Sequence, residues 1–317
     1  MYSYQSVFAV SINEMLDFKK QFGYAKSTHV PSLKNFDRFC AKFYPHTSSL
    51  SEQLVLAWLK KRINENSGGL KKRANTIRQF GKYLNYMGQQ AYVLPSGYVG
   101  GHSSFMPYIL SDEELTSFFH TIDNFPISQY SPCRHLVLSV IFRLIYCCGL
   151  RPNEARLLKT TDVAYQCGQI MISDTKKKRD RIVMMSDDVA SLCAQYDNIV
   201  QGIYPEREYF FPTLQDGAYA ANTLIHLFRK CWRISFGNAE SARIPRIYDL
   251  RHRFATAVIM RWMDEGKDVQ ALLPYLSAYM GHVKLSATAY YIHLLPSNLT
   301  QSASIDWSRF SDLIPEL

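Results

Sequence analysis

Apolar residues recur every three or four positions along most of this chain and alternate with polar residues in only one short region. In the first third, the helical spacing covers residues 8–22, 51–64 and 70–87, which predicts three helices. Pro31 and the triplet Ser67-Gly68-Gly69 interrupt this spacing, and we expect loops at both. The first third is therefore predicted to be all helical.

The rest of the chain is also mainly helical by this criterion. Ser111 and Glu114 stand three apart ahead of an apolar run, which is typical of a capping box and predicts a helix to about Asp123. Residues 136–148 are almost continuously apolar, which predicts a central buried helix that ends at Gly149. Apolar residues four apart predict a further helix over residues 248–262.

Period-two alternation is confined to the neighbourhood of residue 175. Ile170 and Ile172 alternate with other residues, and Ile182 and Val183 follow a charged segment. This pattern predicts a β hairpin with residues 176–179 at its tip. The fold class is therefore predicted to be mainly α, with a small β hairpin or sheet.

Residues 95–107 have the composition of a connection between domains. They include three glycines, three serines and two prolines, and no Lys, Arg, Asp or Glu. A length of 317 residues also favours two domains at about 150 residues each. We therefore expect a helical domain over residues 1–94, a linker over 95–107 and a second domain over 108–317.

The net charge of +9 lies entirely in the first third of the chain. Residues 1–103 carry 14 basic and 5 acidic side chains, and the remainder carries 22 of each. Such a basic region indicates a nucleic-acid binder, although a solvated lysine-rich surface explains it equally well. The predicted helix at 70–87 carries the best candidates for contacts with a DNA backbone, namely Lys71, Lys72, Arg73, Arg78 and Lys82.

The composition argues against a membrane protein and against a disulfide or zinc scaffold. Residues 135–150 are too short for a membrane span and contain Arg143, and residues 1–15 lack the features of an export signal. The seven cysteines form no Cys-x-x-Cys pair, and we expect reduced, buried thiols and no metal or cofactor. We expect a cytoplasmic protein, associated with the nucleoid if the source is bacterial.

Candidate catalytic residues concentrate in four separate segments: 146–158, 174–183, 248–256 and 279–293. In order and spacing, these segments resemble the motifs of the tyrosine recombinases, also called the phage integrase family. The family's Gly-Leu-Arg-x-x-Glu makes Arg151 its first catalytic arginine and Glu154 the supporting acidic neighbour. Counting back five residues from Arg181 places the family's hairpin lysine at Lys176.

The last two segments carry the remaining family motifs. Arg251 matches the second catalytic arginine, and Tyr248 stands three residues earlier, where histidine is commonest in the family. The final Gly-His motif makes His282 a catalytic residue and Tyr291 the nucleophile, rather than Tyr290. The two histidines that follow these motif positions are assigned other roles: packing for His252 and bracing of the tyrosine helix for His293.

The resemblance implies a two-domain tyrosine recombinase fold of the short, Xer-like architecture. A helical, SAM-like core-binding domain would precede an integrase-like catalytic domain, and a homo-tetramer would act on two double-stranded DNA recombination sites. Residues 307–314 predict a short amphipathic helix in a C-terminal tail, which either folds back or docks on a neighbouring protomer.

The residue types fit DNA strand exchange through a 3′-phosphotyrosine without a metal. Two guanidiniums can clamp the charge that spreads over phosphate oxygens, a phenol can attack, and a hairpin lysine can protonate the leaving oxygen. Two alternatives stay open: relaxation of DNA by a type IB topoisomerase, and a recombinase-derived DNA-binding regulator that does not cut. Tyr248 is the feature that favours the regulator.

Overall fold

The computed structural model describes residues 3–23, 29–100, 106–173, 180–215, 217–237 and 243–294. These residues form α-helices and one three-stranded antiparallel sheet, and the chain divides into two compact units at residues 105 and 106. Within the described ranges, no helix is both long and apolar enough to cross a membrane. The predicted mainly α fold with a small sheet is confirmed.

The first unit is a bundle of helices, as predicted, but the predicted loops are wrong. Pro31 lies in the first turn of a helix, where its fixed φ suits a helix start. Ser67-Gly68-Gly69 is the first turn of another helix, capped by the Asn66 side chain, which accepts from Gly69 N at 2.8 Å. The helices are α1 (Ala9–Gln21), α2 (Val30–Phe43), α3 (Glu52–Leu59) and α4 (Ser67–Tyr86).

Aromatic rings fill the core of this unit and explain why four helices meet there. The ring of Phe36, from α2, lies 5.7 Å from that of Phe8, 5.5 Å from that of Trp58 and 6.1 Å from that of Phe80. Such aromatic contacts add to the stabilisation that burial supplies. The helix α3 ends at Leu59 rather than at the expected residue 64.

The second unit surrounds the buried helix predicted at residues 136–148. That helix is observed at Arg134–Cys147 and ends before Gly149, whose φ is +61°. The predicted capping box at Ser111 and Glu114 is confirmed. The helices are α5 (Asp112–Asp123), α6 (Arg134–Cys147), α7 (Pro152–Arg156), α8 (Asp187–Gln201), α9 (Ala221–Phe236), α10 (Ile247–Asp264), α11 (Val269–Met280) and α12 (Ser286–Ala289), and a 3-10 turn covers Tyr290–Leu294.

The sheet of the second unit contains the predicted hairpin. Its strands are β1 (Val163–Ala164), β2 (Gln169–Ile172) and β3 (Arg181–Met184), in that order. The β2–β3 register pairs Ile170 with Val183, and both side chains are buried. The short strand β1 was not predicted, and the hairpin tip at residues 174–179 lies outside the described residues.

The expectation of buried cysteines is wrong for two of the seven. All seven thiols are free, but Cys147 and Cys167 are exposed. Cys147 is the last residue of α6, and Cys167 ends a 3-10 turn between β1 and β2.

Replacement of Gly149 by alanine tests the tight packing behind the first arginine motif. A Cβ at residue 149 would lie 2.5 Å from Cδ1 of Phe254, in a left-handed backbone conformation. Left-handed strain costs about 1–2 kcal/mol and overpacking about 1–3 kcal/mol, so Gly149→Ala should lower the free energy of unfolding by about 2–5 kcal/mol in urea titrations.

Gly266→Ala is the matched control. Gly266 has a φ of +66° and no atom within 4 Å of a built Cβ, so its replacement incurs the backbone strain alone. We expect a loss of about 1–2 kcal/mol for this variant. Equal losses in the two variants would contradict the close contact at Gly149.

Candidate active site

Three arginines from distant parts of the second unit converge on the C-terminal end of α11. The last carbonyls of a helix lack intrahelical donors and lie at the negative end of the helix dipole, so they suit cationic donors. Three consecutive carbonyls accept one guanidinium each: Tyr279 from Arg181 (Nε to O, 2.9 Å), Met280 from Arg251 (Nη2 to O, 2.6 Å) and Gly281 from Arg151 (Nη2 to O). This helix end therefore positions all three guanidiniums.

The glycine of the Gly-His motif makes this arrangement possible. Gly281 ends α11 at a φ of +66°, and His282 N donates back to Ser277 O at 2.9 Å, which is the bond of a Schellman cap. A Cβ at residue 281 would lie 2.9 Å from Nη1 of Arg181. Both the backbone conformation and the arginine beside it require glycine here.

The Glu154 carboxylate accepts hydrogen bonds from two of these arginines. Arg181 donates to both carboxylate oxygens, at 3.0 and 2.8 Å, and Arg151 donates from Nη1 at 2.5 Å and from its main-chain N at 2.7 Å. Burial alone raises the pKa of Glu154, but hydrogen bonds and charge from Arg181 and Arg151 outweigh it and hold the pKa below 4.5. Glu154 is therefore ionised at neutral pH.

Arg251 is the most buried residue of the cluster formed by the three arginines and Glu154. Its side chain is 3% exposed and donates to Gly149 O at 2.5 Å, to Met280 O, and to His282 Nε2 at 3.1 Å. Burial, with the charge of Arg151, lowers the pKa of Arg251 to about 10, so its guanidinium stays charged at neutral pH. Main-chain carbonyls thus replace the water that this buried charge gives up.

His282 has both ring nitrogens engaged. Because a guanidinium can only donate, Nε2 accepts from Arg251, and Nδ1 carries the proton that is donated to Thr288 Oγ1 at 2.7 Å. Burial and the neighbouring arginines lower the pKa of His282 to about 3, so the ring is neutral. It stacks on Tyr291 with ring centroids 6.0 Å apart and planes 24° apart.

Tyr291 lies in the 3-10 turn that follows α12, and 3% of its surface is exposed. Its hydroxyl is 3.1 Å from Nδ1 of His252. Burial raises the pKa of Tyr291 above 10, although the charges of Arg251 and Arg151 act in the opposite direction. The phenol is therefore protonated at neutral pH and must lose a proton before it can act as a nucleophile.

The structure brings together most of the second-unit residues singled out from the sequence. Tyr248 is different: 41% of it is exposed, and among the described residues its hydroxyl bonds to none of the cluster. Lys176 and the side chain of His293 lie outside the described residues. The residues that meet are Arg151, Glu154, Arg251, His282 and Tyr291. Across the described ranges, no three His, Cys, Asp or Glu side chains are placed to hold a metal ion.

Sequence reasoning missed three residues of this cluster. Arg181 served only to locate Lys176, yet it holds Glu154 with two hydrogen bonds. The available signal was the position of Arg181 at the start of the apolar strand β3, where a charged side chain needs a partner. Thr288 gave no signal, and His252 was assigned to packing although its ring reaches the Tyr291 hydroxyl.

The predicted role of Arg73 in contacts with DNA is corrected by the structure of the first unit. Arg73 is buried, and its guanidinium donates to the Glu65 carboxylate from Nε at 2.6 Å and from Nη2 at 2.5 Å. It also donates to the Trp58 carbonyl. The side chain therefore joins α3 to α4 and is not available to a phosphate.

The other four candidates on α4 are more accessible. Arg78 donates to the carbonyls of Leu94 and Pro95, at 2.7 and 2.6 Å. Lys71 is half-buried, and Lys72 and Lys82 are exposed.

Glu154→Gln tests whether the ionised carboxylate stabilises this site. We expect a loss of about 3 kcal/mol in the free energy of unfolding at pH 7, at the lower end of the cost of removing one partner of a buried pair, because Gln still accepts a hydrogen bond. The folded-state pKa is depressed, so this stabilisation is present above the unfolded pKa of about 4.3 and is lost as the pH falls through the folded value.

The control is Glu208→Gln, which breaks an exposed pair with Lys159 and should leave the free energy of unfolding nearly unchanged, because water and salt screen surface charges. Urea titrations at pH 7 and below pH 4 measure both variants. A deficit of Glu154→Gln that stays unchanged at the lower pH would contradict the role of the charge.

Comparisons with known proteins give the family. A family model described as the phage integrase family matches residues 109–298. Protein y4rE of Sinorhizobium fredii, whose name describes an integrase/recombinase, is 28% identical over 295 residues, which cover 89% of this chain and 90% of the relative. Tyrosine recombinase XerH of Helicobacter pylori is 27% identical over 203 residues, 63% of this chain and 52% of that protein.

Solved structures share the fold. XerH bound to a palindromic difH substrate in a post-cleavage complex matches with a TM-score of 0.68 at 20% identity, over 97% of this chain and 92% of that one. A lambda integrase tetramer bound to a Holliday junction matches with a TM-score of 0.63 at 13% identity, over 91% of this chain and 78% of that one. Because the family model spans more than half of the 317 residues and the fold agrees, this chain belongs to the phage integrase family, the tyrosine recombinases.

Proposed function

We propose that this site-specific DNA recombinase cuts and rejoins DNA with Tyr291 as the nucleophile, through a 3′-phosphotyrosine intermediate. One observation carries the proposal: the Tyr291 ring stacks on His282, whose Nε2 accepts from Arg251. The proposed nucleophile and one of the two arginines assigned to the phosphate therefore contact the same imidazole. Membership of the phage integrase family supports the same chemistry.

In the proposed cleavage step, Oη of Tyr291 forms a bond to phosphorus as the bond from phosphorus to the 5′-oxygen breaks. Negative charge grows on the nonbridging oxygens, where planar and permanently charged guanidiniums stabilise it. The side chain of Arg151 is 29% exposed, so it is the arginine that a phosphate reaches most directly. The more buried Arg251, which donates to His282, would stabilise the same charge from the interior of the site.

The 5′-oxygen leaves with a proton that we assign to Lys176 as the general acid. The phosphotyrosine bond keeps the free energy of the broken diester, so a 5′-hydroxyl from a second DNA can reverse the reaction without an energy source. Repeating the reaction on the other strand completes the exchange.

We extend the proposal to the assembly and to the role of each unit. The first unit would be a core-binding domain that contacts phosphates through Lys72 and Lys82, with support from Lys71 and Arg78. Four protomers would act on two sites, as suggested by the lambda integrase tetramer of similar fold bound to a Holliday junction. The substrate would be chromosomal DNA, and the biological reaction would include transposition of a mobile element. A protein with that substrate would act in the cytoplasm.

The experiment that tests the function is the mapping of covalent adducts. The full chain is incubated with fragmented genomic DNA of its source, the reaction is stopped with detergent, and protein-linked 3′ ends are sequenced. Recurrent ends identify the site, and a two-site recombination assay on that DNA separates strand exchange from topoisomerase-like relaxation. Binding without any adduct would support the non-cutting regulator instead.

Tyr291→Phe removes one oxygen and keeps the ring that stacks on His282. We therefore expect the covalent adduct to disappear while DNA binding persists, measured by gel shift and by the detergent-stable adduct. Tyr290→Phe is the matched control one residue earlier, and it should still cleave. The opposite pattern in the two variants would move the nucleophile by one residue.

Lys176→Ala should slow cleavage by about 10²–10⁴-fold if this lysine is the general acid. A substrate with sulfur in place of the bridging 5′-oxygen should restore the rate, because a thiolate leaves without a proton. Lys177→Ala and Lys178→Ala are the controls on the same hairpin. Rescue by sulfur of one of these variants, and not of Lys176→Ala, would reassign the acid.

A further inference from the structure

The cluster contains a histidine for which the family motifs, as read from the sequence, gave no catalytic role. His252 directly follows Arg251 on α10, and its Nδ1 lies 3.1 Å from Oη of Tyr291. That distance is within hydrogen-bond reach of the proton that the nucleophile must lose. The aromatic rings of the two residues lie 5.6 Å apart.

Among the described residues, the other candidates for this proton are less suited than His252. Both nitrogens of His282 are engaged, Nε2 by Arg251 and Nδ1 by Thr288. Tyr248 stands at the position where histidine is commonest in the family, but it is 41% exposed, and a phenol is a poor base near neutral pH. The arginines in contact with the cluster can only donate.

Asp249 favours the tautomer of His252 that accepts a proton at Nδ1. Its carboxylate is 1% exposed and accepts from Arg246 N at 2.6 Å through Oδ2. Oδ1 has no hydrogen-bond partner among the described residues and faces Nε2 of His252 at 3.9 Å. At 3.9 Å the two atoms do not form a hydrogen bond, but the nearby carboxylate favours a proton on Nε2, which leaves the Nδ1 lone pair for the Tyr291 hydroxyl.

We propose that His252 is the general base of this recombinase and takes the place of the histidine that Tyr248 replaces. The inference rests on the proposed function, because it concerns the same cleavage step. Asp249 is a positioning residue that acts through His252.

The step balances in atoms and charge. As Oη of Tyr291 bonds to phosphorus, its proton passes to Nδ1 of His252, and Lys176 gives a proton to the departing 5′-oxygen. His252 gains one positive charge and Lys176 loses one, while the phosphodiester charge stays at minus one. Rejoining reverses both transfers.

The protonation state supports the assignment. Burial and the charges of Arg246 and Arg251 lower the pKa of His252 to about 4, so the ring is neutral and able to accept. An incoming phosphodiester anion raises the basicity of a nearby imidazole, because opposite charge favours its protonated form. The ring therefore becomes a better base when the substrate arrives.

His252→Asn is the decisive variant, since an amide can hydrogen-bond near the Nδ1 position but cannot take up a proton. We expect cleavage of a nicked suicide substrate, built on the mapped site, to slow by about 10²–10⁴-fold. His226→Asn, at an exposed position of α9, is the matched control and should cleave as the parent does.

Rescue distinguishes a base from a structural residue. Incorporation of 3,5-difluorotyrosine at position 291 supplies a more acidic phenol, which should restore most of the rate to His252→Asn and none to Lys176→Ala. The substrate with bridging 5′-sulfur should do the reverse. Failure of the acidic phenol to rescue His252→Asn, or cleavage by that variant within about threefold of the parent, would overturn the proposal.

Two further measurements separate failure of this inference from failure of the proposed function and from misfolding of the variant. If Tyr291→Phe still forms the adduct, the proposed function fails; if it does not and His252→Asn cleaves normally, only the present inference fails. Should His252→Asn not fold, ¹⁵N NMR of the parent protein decides, because the proposal requires a protonated Nε2 and an unprotonated Nδ1 at His252. The opposite tautomer would contradict it.

Discussion

The candidate active site depends on one helix end, whose carbonyl oxygens accept hydrogen bonds from three guanidiniums. Arg251 is almost fully buried, and an unpaired buried charge would be strongly unfavourable. The carbonyls of Tyr279, Met280 and Gly281 meet this need, and Glu154 balances part of the charge. The same contacts hold the guanidinium planes in fixed positions, so the groups that make the site stable also set the geometry of the proposed phosphate site.

Much of the fold and the site followed from short-range patterns in the sequence. The capping box at Ser111 and the apolar run of α6 are local signals, and both elements formed as predicted. Pro31 and the Ser67-Gly68-Gly69 triplet misled the prediction because proline and glycine are tolerated in a first helical turn, where the N–H groups need no intrahelical acceptor. Composition alone does not distinguish a first turn from a loop.

The errors in the site came from contacts between residues far apart in sequence. Arg73 was grouped with surface lysines, but its charge is matched by Glu65, in the connection between α3 and α4, and its guanidinium also donates to Trp58 O of α3. Arg181 and His252 gain their roles only when β3 and α10 are brought against Glu154 and Tyr291. Residue type and spacing in the sequence identify candidate site residues. Their burial and hydrogen-bond partners, which only the folded structure shows, distinguish the residues of the site from structural ones.

The order of these residues along the chain also governs when the site can form. The carbonyl acceptors and Tyr291 occupy residues 279–291, and the contact of Arg151 with Gly281 spans 130 positions. Contacts of such long sequence separation form late in folding, and synthesis releases the earlier residues first. On the proposed function, a growing chain would therefore display the basic first unit before Tyr291 is in place. The proposed strand cleavage would become available only after folding has proceeded through residue 291, so an immature chain would not break DNA that it contacts.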